Sequence, residues 1–115
     1  MLALLVHGDA AMAGLGIVTE AMQMAELEAY WIGGSVHVVI NNHVGFTTLP
    51  IEGRTSEHCT DTARATGVPV IHANADDPEA VVRAFKVAAR WRERWQRDVI
   101  VDVCGYRCVP VSVTV

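Results

Sequence analysis

Four short apolar runs, at residues 2–6, 36–40, 68–71 and 99–103, punctuate this chain. Each is almost continuously apolar instead of alternating, which is how strands covered on both faces read. The run at 36–40 is also largely β-branched, a further strand signal. Helical signals lie between the runs. Residues 17–30 place Val18, Ala21, Met22, Ala25 and Leu27 at helical spacing, and Gly33-Gly34 ends the pattern. Residues 41–53 read as a long loop. Ser56 or Thr60 can cap a short helix that stops near Gly67. Asp77-Pro78-Glu79 is a strong helix start, with an N-cap, a proline at the first position and an acid in the first turn. That helix is expected to reach about Arg97. Strands alternating with helices form βαβ units, so the expected fold is α/β, a parallel sheet with flanking helices.

Composition supports one core and narrows the function. Of 115 residues, 51% are apolar and 19% charged, too apolar for disorder. A net charge of -4 argues against nucleic acid as a partner. No apolar run approaches the roughly 20 residues that span a bilayer, so no membrane partner is expected. The first apolar run lacks a basic flank and stops at His7, unlike a signal peptide, and no transit peptide is visible. Cys59, Cys104 and Cys108 show no CxxC spacing, so reduced thiols are expected in place of a disulfide framework or a zinc site.

In parallel sheets ligands bind beyond the carboxyl ends of the strands. His7-Gly8-Asp9 follows the first strand and Asn41-Asn42-His43-Val44-Gly45 follows the second. If those strands are neighbours, Asp9 and Asn42 face one crevice. A carboxylate and an amide carbonyl are hard oxygen donors suited to magnesium, which takes few protein ligands plus phosphate oxygens. A backbone carbonyl after Asn42 can add a third. The small residues from Ala10 to Gly16 let backbone approach a phosphate, and the helix after them aims its amide-rich end there. Each part alone has a plainer explanation as a cap or turn residue, and Gly14-Leu15-Gly16 does not complete GxGxxG because Thr19 holds the last position. Together they read as a magnesium–diphosphate site.

Gly8-Asp9-Ala10 followed by Asn41-Asn42 resembles the thiamine-diphosphate motif. More specifically, His7-Gly8-Asp9-Ala10-Ala11, Gly33-Gly34-Ser35-Val36-His37, the segment from Asn41 to Thr48 and Asp76-Asp77-Pro78-Glu79-Ala80-Val81 resemble the thiamine-dependent first component of the 2-oxoglutarate dehydrogenase complex. The relative acting on 2-oxoadipate shares the pattern, which covers residues 2–107. The resemblance implies the magnesium- and diphosphate-binding domain of a thiamine-diphosphate enzyme, incomplete. It implies that Asp9 and Asn42 bind Mg2+ through their side chains and Val44 through its backbone carbonyl, with Ala10 and Ala11 against the diphosphate. It also implies a homodimeric parent that oxidatively decarboxylates a 2-oxo acid in the tricarboxylic acid cycle and passes the acyl group to a lipoyl-bearing acyltransferase. Such a parent resides in the mitochondrial matrix of a eukaryote and otherwise in the cytoplasm. Thiamine diphosphate and magnesium are the implied cofactors. No catalytic residue is assigned, and these residues alone are expected to be inactive.

The chain departs from the family at Gly14-Leu15-Gly16, where Gly-Gln-Gly is usual, and at His43, where Gln is usual. After Arg107 the family continues to Gly-His-Asn-Glu. Residues 1–107 are therefore expected to be a partial cofactor domain and 108–115 an atypical tail left by truncation. Another thiamine enzyme, such as a transketolase or pyruvate dehydrogenase, fits the segment from Asn41 to Thr48 less well. A non-catalytic phosphate-binding α/β module, or an inert truncation product, are the remaining alternatives.

Other features have structural readings. Arg83, Lys86, Arg90, Arg94 and Arg97 form a basic stripe opposite Val82, Phe85, Ala89 and Trp91, expected to be a solvated face over a core-facing one. Trp91 and Trp95 are expected to pack together. His37 reads as a satisfied core histidine. His58-Cys59 and His72 show no partner for a nucleophilic pair. His7 and His43 flank the expected site, with cofactor contact and structural hydrogen bonding both open.

Overall fold

The structure is a computed structural model that describes residues 2–107; the atypical tail expected at 108–115 lies outside the described residues. Four strands, β1 (Ala3–Gly8), β2 (Ser35–Asn41), β3 (Val70–Asn74) and β4 (Val99–Cys104), form one parallel sheet in the order β1-β2-β4-β3. The expected parallel α/β architecture is present. β3 begins two residues later than the apolar run because Pro69 has no N–H to give a ladder; its carbonyl instead accepts from the Ile100 amide at 3.0 Å.

Chain direction across the sheet reverses between β3 and β4. With one crossover hand, that reversal sends the connecting helix to the opposite face. Two cores result. Helices α1 (Asp9–Gly14) and α2 (Gly16–Met24) cover one face, where Met12, Val18 and Met22 pack with Val39, Ile100, Cys59 and Ala63. Helix α4 (Pro78–Trp95) covers the other, packing Ala84 and Ala88 on Val36, Val38, Val99 and Val101.

Three expectations need correction. The small-residue stretch after β1 is itself a helix, α1, and Asp9 is its first residue. Met12, fully buried, secures it; burying such a side chain contributes about 2–3 kcal/mol. α2 stops at Met24, not near Tyr30, because only Val18 and Met22 reach the sheet while Leu27 and Tyr30 stay exposed. Isolated turns replace it, with the Leu27 amide bonding the Met24 carbonyl and the Tyr30 amide the Leu27 carbonyl. On α4 the buried stripe is Val81, Ala84, Phe85, Ala88 and Trp91, so Val82 and Ala89 face outward. The apolar face of α4 is broad, and small Ala84 and Ala88 decide which part of it can approach the sheet.

The cap of α4 forms as expected: Asp77 accepts the Ala80 amide at 2.9 Å, and Pro78 follows. The basic stripe is exposed, and Trp91 and Trp95 pack with ring centres 5.8 Å apart. The expected loop contains a short helix, α3 (Pro50–Gly53). The expected short helix is a 3-10 turn, Asp61–Ala65, starting at Thr60. Among the described residues no helix is long and apolar enough to cross a membrane.

The edge strand β1 leaves Leu4 and Val6 exposed, as are Ile17, Ile32 and Ile40. Gly34 enters β2 beneath the α4–β4 connection at φ +80°, where an added Cβ would lie 2.5 Å from the Arg97 carbonyl group. Gly33 has φ +81°, yet its added Cβ would meet only the Arg92 side-chain tip at 3.4 Å. Replacing Gly34 with alanine should therefore cost more than about 2 kcal/mol, and Gly33→Ala distinctly less. Urea midpoints of the two variants check this; equal losses would contradict it.

Candidate functional site

β1 and β2 bring their carboxyl ends side by side. Gly8 pairs with Ile40, so Asp9 and the segment from Asn41 leave the sheet as neighbours. Asp9 is 3% exposed and opens α1, where backbone amides favour a negative charge. Arg54, also largely buried, brings Nη1 to 3.8 Å from Asp9 Oδ2. Its Nη2 donates to the Glu57 carbonyl at 3.5 Å, and its buried Nε has no partner among the described residues.

β2 runs into a tight turn built by its two asparagines. Asn41 Oδ1 accepts the His43 amide at 3.3 Å and Asn42 Oδ1 the Val44 amide at 3.2 Å, the local bonding at which asparagine excels. His43 takes φ +58° and Phe46 φ +61°. Gly45 and Thr48 exchange backbone hydrogen bonds at 2.8 and 3.0 Å. Gly45 passes close to α1: an added Cβ would come to 3.2 Å from Ala10 Cβ.

Between this turn and α1 lies a cleft of about 220 Å³, lined by Asp9, Ala10, Ala13, Gly45, Thr48 and Arg54 among others. Asp9 and Ala10, both expected at the site, line it. Ala11 follows them on α1. Asn42 and Val44 do not line the cleft; they precede Gly45 in the turn, with the Asn42 side chain committed to the Val44 amide. That bond uses one of two lone pairs on the amide oxygen, so a cation can still be accepted. Buried carboxylate, amide oxygen and turn carbonyls are hard donors, and the close passage of Gly45 over Ala10 makes a backbone-lined cradle. The residues present fit magnesium and a diphosphate.

Sequence reading missed Arg54. The loop reading stopped at Gly53, and an arginine just past it gives no signal until folding carries it to Asp9. His72, for which no nucleophilic partner is expected, meets a carboxylate that sequence reading did not foresee: its Nδ1 lies 2.8 Å from Asp102 Oδ2, a pairing set by sheet register.

Beside the site runs a chain of polar groups. His7 Nε2 and His37 Nδ1 are 3.0 Å apart. His37 Nε2 lies 3.5 Å from Asp98 Oδ2, and Asp98 Oδ1 accepts the Ser35 amide at 2.7 Å. His37 is thus the satisfied core histidine expected. Burial, then the neighbouring His37, pushes the His7 imidazole below its ordinary value. Burial alone would raise the Asp98 carboxyl, but the hydrogen bonds from His37 and Ser35 and the His37 charge hold it below the usual range.

The sequence profile of the dehydrogenase E1 component family matches residues 1–113. The chain is 48% identical over 106 residues to a mitochondrial 2-oxoglutarate dehydrogenase of Dictyostelium discoideum, covering 92% of this chain and 10% of that protein. It is 49% identical over 106 residues to the mitochondrial 2-oxoglutarate dehydrogenase of Caenorhabditis elegans, with the same coverage. It is 51% identical over 104 residues to a 2-oxoglutarate dehydrogenase E1/E2 component of Corynebacterium glutamicum, covering 90% of this chain and 8% of that one. The chain spans about a tenth of the length of these curated relatives.

The Asp98 contacts give a pH dependence. A carboxyl held low in the fold contributes stability that is present above its unfolded value of about 4 and is lost as pH falls through the folded value. Urea midpoints should therefore drop on acidification, and Asp98→Asn should flatten that drop while lowering stability at neutral pH. An acid limb of unchanged slope in Asp98→Asn would exclude Asp98 as its source.

Proposed function

The chain belongs to the dehydrogenase E1 component family, and we propose from that premise that these residues hold the magnesium and the diphosphate of thiamine diphosphate in a 2-oxoglutarate dehydrogenase. The observation that carries this reading is the buried Asp9, set at the mouth of a parallel strand pair in a cleft shared with Gly45 of the following turn. Asp9 and Asn42 bind the metal through side-chain oxygens and Val44 through its carbonyl. Ala10 and Ala11, having no bulk beyond Cβ, let the diphosphate approach α1. Arg54, a cation beside Asp9, adds positive charge near the phosphates. Bound there, thiamine diphosphate supplies the carbanion and electron sink needed to decarboxylate a 2-oxo acid.

The whole protein, on this reading, oxidises 2-oxoglutarate in the tricarboxylic acid cycle as a homodimer and passes the succinyl group to a lipoyl-bearing acyltransferase. Relatives named as 2-oxoglutarate dehydrogenases, one as an E1/E2 component, support the substrate and partner. Relatives named mitochondrial support the mitochondrial matrix for a eukaryotic source; a bacterial source places it in the cytoplasm. The apolar edge at Leu4 and Val6 fits a segment that packs against more protein. These 115 residues alone carry no group assigned to the aminopyrimidine end, so alone they are inactive.

The test is calorimetric titration of the full-length protein with thiamine diphosphate at fixed magnesium. Asp9→Ala removes the anionic ligand and should weaken binding by more than the roughly 10–100-fold lost when a group supporting a ligand is removed. Asn42→Ala should weaken it less. Unchanged affinity in Asp9→Ala would refute the assignment.

A further inference from the structure

On the α1–α2 face of the sheet, at β3 and β4, a second cluster of ligating side chains lies apart from the Asp9 cleft lining. Parallel pairing sets His72 opposite Asp102, with Nδ1 2.8 Å from Oδ2. Two residues along β4, Cys104 Sγ lies 3.5 Å from the same oxygen. The three ligand atoms all lie within 4.8 Å of one another. Asp102 is fully buried, and its Oδ1 has no hydrogen-bond partner among the described residues. Asp102 is thus a buried carboxylate with hydrogen bonds on one oxygen only, so its charge is incompletely compensated and a cation on the Oδ2 side would complete it. The His72 side chain is 41% exposed, so the cluster has an entrance from solvent. The His58 ring lies over His72 with centres 4.7 Å apart.

We propose that His72, Asp102 and Cys104 form a site for a zinc-class divalent transition-metal ion, with the fourth position open to water. Imidazole, thiolate and carboxylate together are a borderline-soft donor set, which favours zinc over the hard cation sought at Asp9. Tetrahedral zinc with bonds of about 2.0–2.3 Å spaces its ligand atoms roughly 3.3–3.8 Å apart. The Cys104–Asp102 spacing already matches. The His72–Asp102 hydrogen bond opens by about half an ångström when the metal replaces its proton. On binding, the Cys104 thiol gives its proton to solvent, and neutral His72 moves its single ring proton from Nδ1 to Nε2 through solvent, which frees Nδ1 for the metal. Burial, then Asp102, pushes the free thiol up to about 11, so the uncomplexed cluster holds that proton and the dication expels it. Cysteine spacing gave no zinc signal because these ligands meet across a sheet and not along a CxxC loop.

The test uses the 115-residue chain carrying Cys108→Ser, stripped of metal and titrated with Co2+ and then Zn2+. A thiolate-to-cobalt charge-transfer band should saturate at one ion per chain and vanish when zinc displaces cobalt. Cys104→Ser should abolish the band, and His72→Gln should weaken cobalt binding at least about tenfold, with far-ultraviolet circular dichroism unchanged. Absence of the band in the Cys108→Ser chain, shown folded by its circular dichroism, or its survival in a folded chain that also carries Cys104→Ser, overturns the site. Should Cys104→Ser fail to fold, the partly exposed His72 decides alone: unchanged cobalt affinity in His72→Gln overturns the proposal.

Discussion

Parallel strands can bring residues to a common crevice only when their carboxyl ends lie together, and the ladder from Ala3↔Ser35 to Gly8↔Ile40 enforces that here. Everything proposed for the Asp9 cleft depends on it. Were β1 paired elsewhere, Asp9 and the Asn41–Asn42 turn would belong to different edges. The pairing also explains why β2 is so well covered: it sits between β1 and β4 and contributes to both cores through Val39 on one face and Val36 and Val38 on the other.

Buried carboxylates lie in and beside the sheet, and each has a partner brought to it by the fold. Asp98 holds His37 and the Ser35 amide, Asp102 holds His72, and Asp9 meets Arg54. Buried carboxylates cost several kcal/mol unless paired, so these contacts constrain register as much as apolar packing does. The titratable side chains gather on the α1–α2 face, which His7, His37, His72, Asp102 and Cys104 share by strand alternation. The α4 face is apolar throughout the core.

Much of this was legible in the sequence. The four apolar runs became the four strands, and the Asp77-Pro78 signal started α4. Asp9 and the asparagine turn fell at the strand ends where a parallel sheet puts ligands. What escaped reading was tertiary. Ala10 to Gly14 shows no periodic stripe apart from Met12, so α1 reads as a stretch of small residues and not as a helix. Residues 25–30 keep helical periodicity but have no surface to pack on, so α2 ends early. Arg54 reaches Asp9, and His72 reaches Asp102, through contacts fixed by the fold and by register, which composition and spacing do not encode.

Asn42 and Val44 lie beside the cleft and not in its lining, so the central claim turns on whether a cation draws them in. The direct measurement is a structure of the full-length protein with thiamine diphosphate and Mn2+ in place of Mg2+, the ion located by anomalous scattering. The account predicts one ion bonded to an Asp9 carboxylate oxygen, Asn42 Oδ1 and the Val44 carbonyl, at distances close to the about 2.0–2.1 Å of magnesium. An ion bound elsewhere, with Asp9 still held by Arg54 alone, would contradict it.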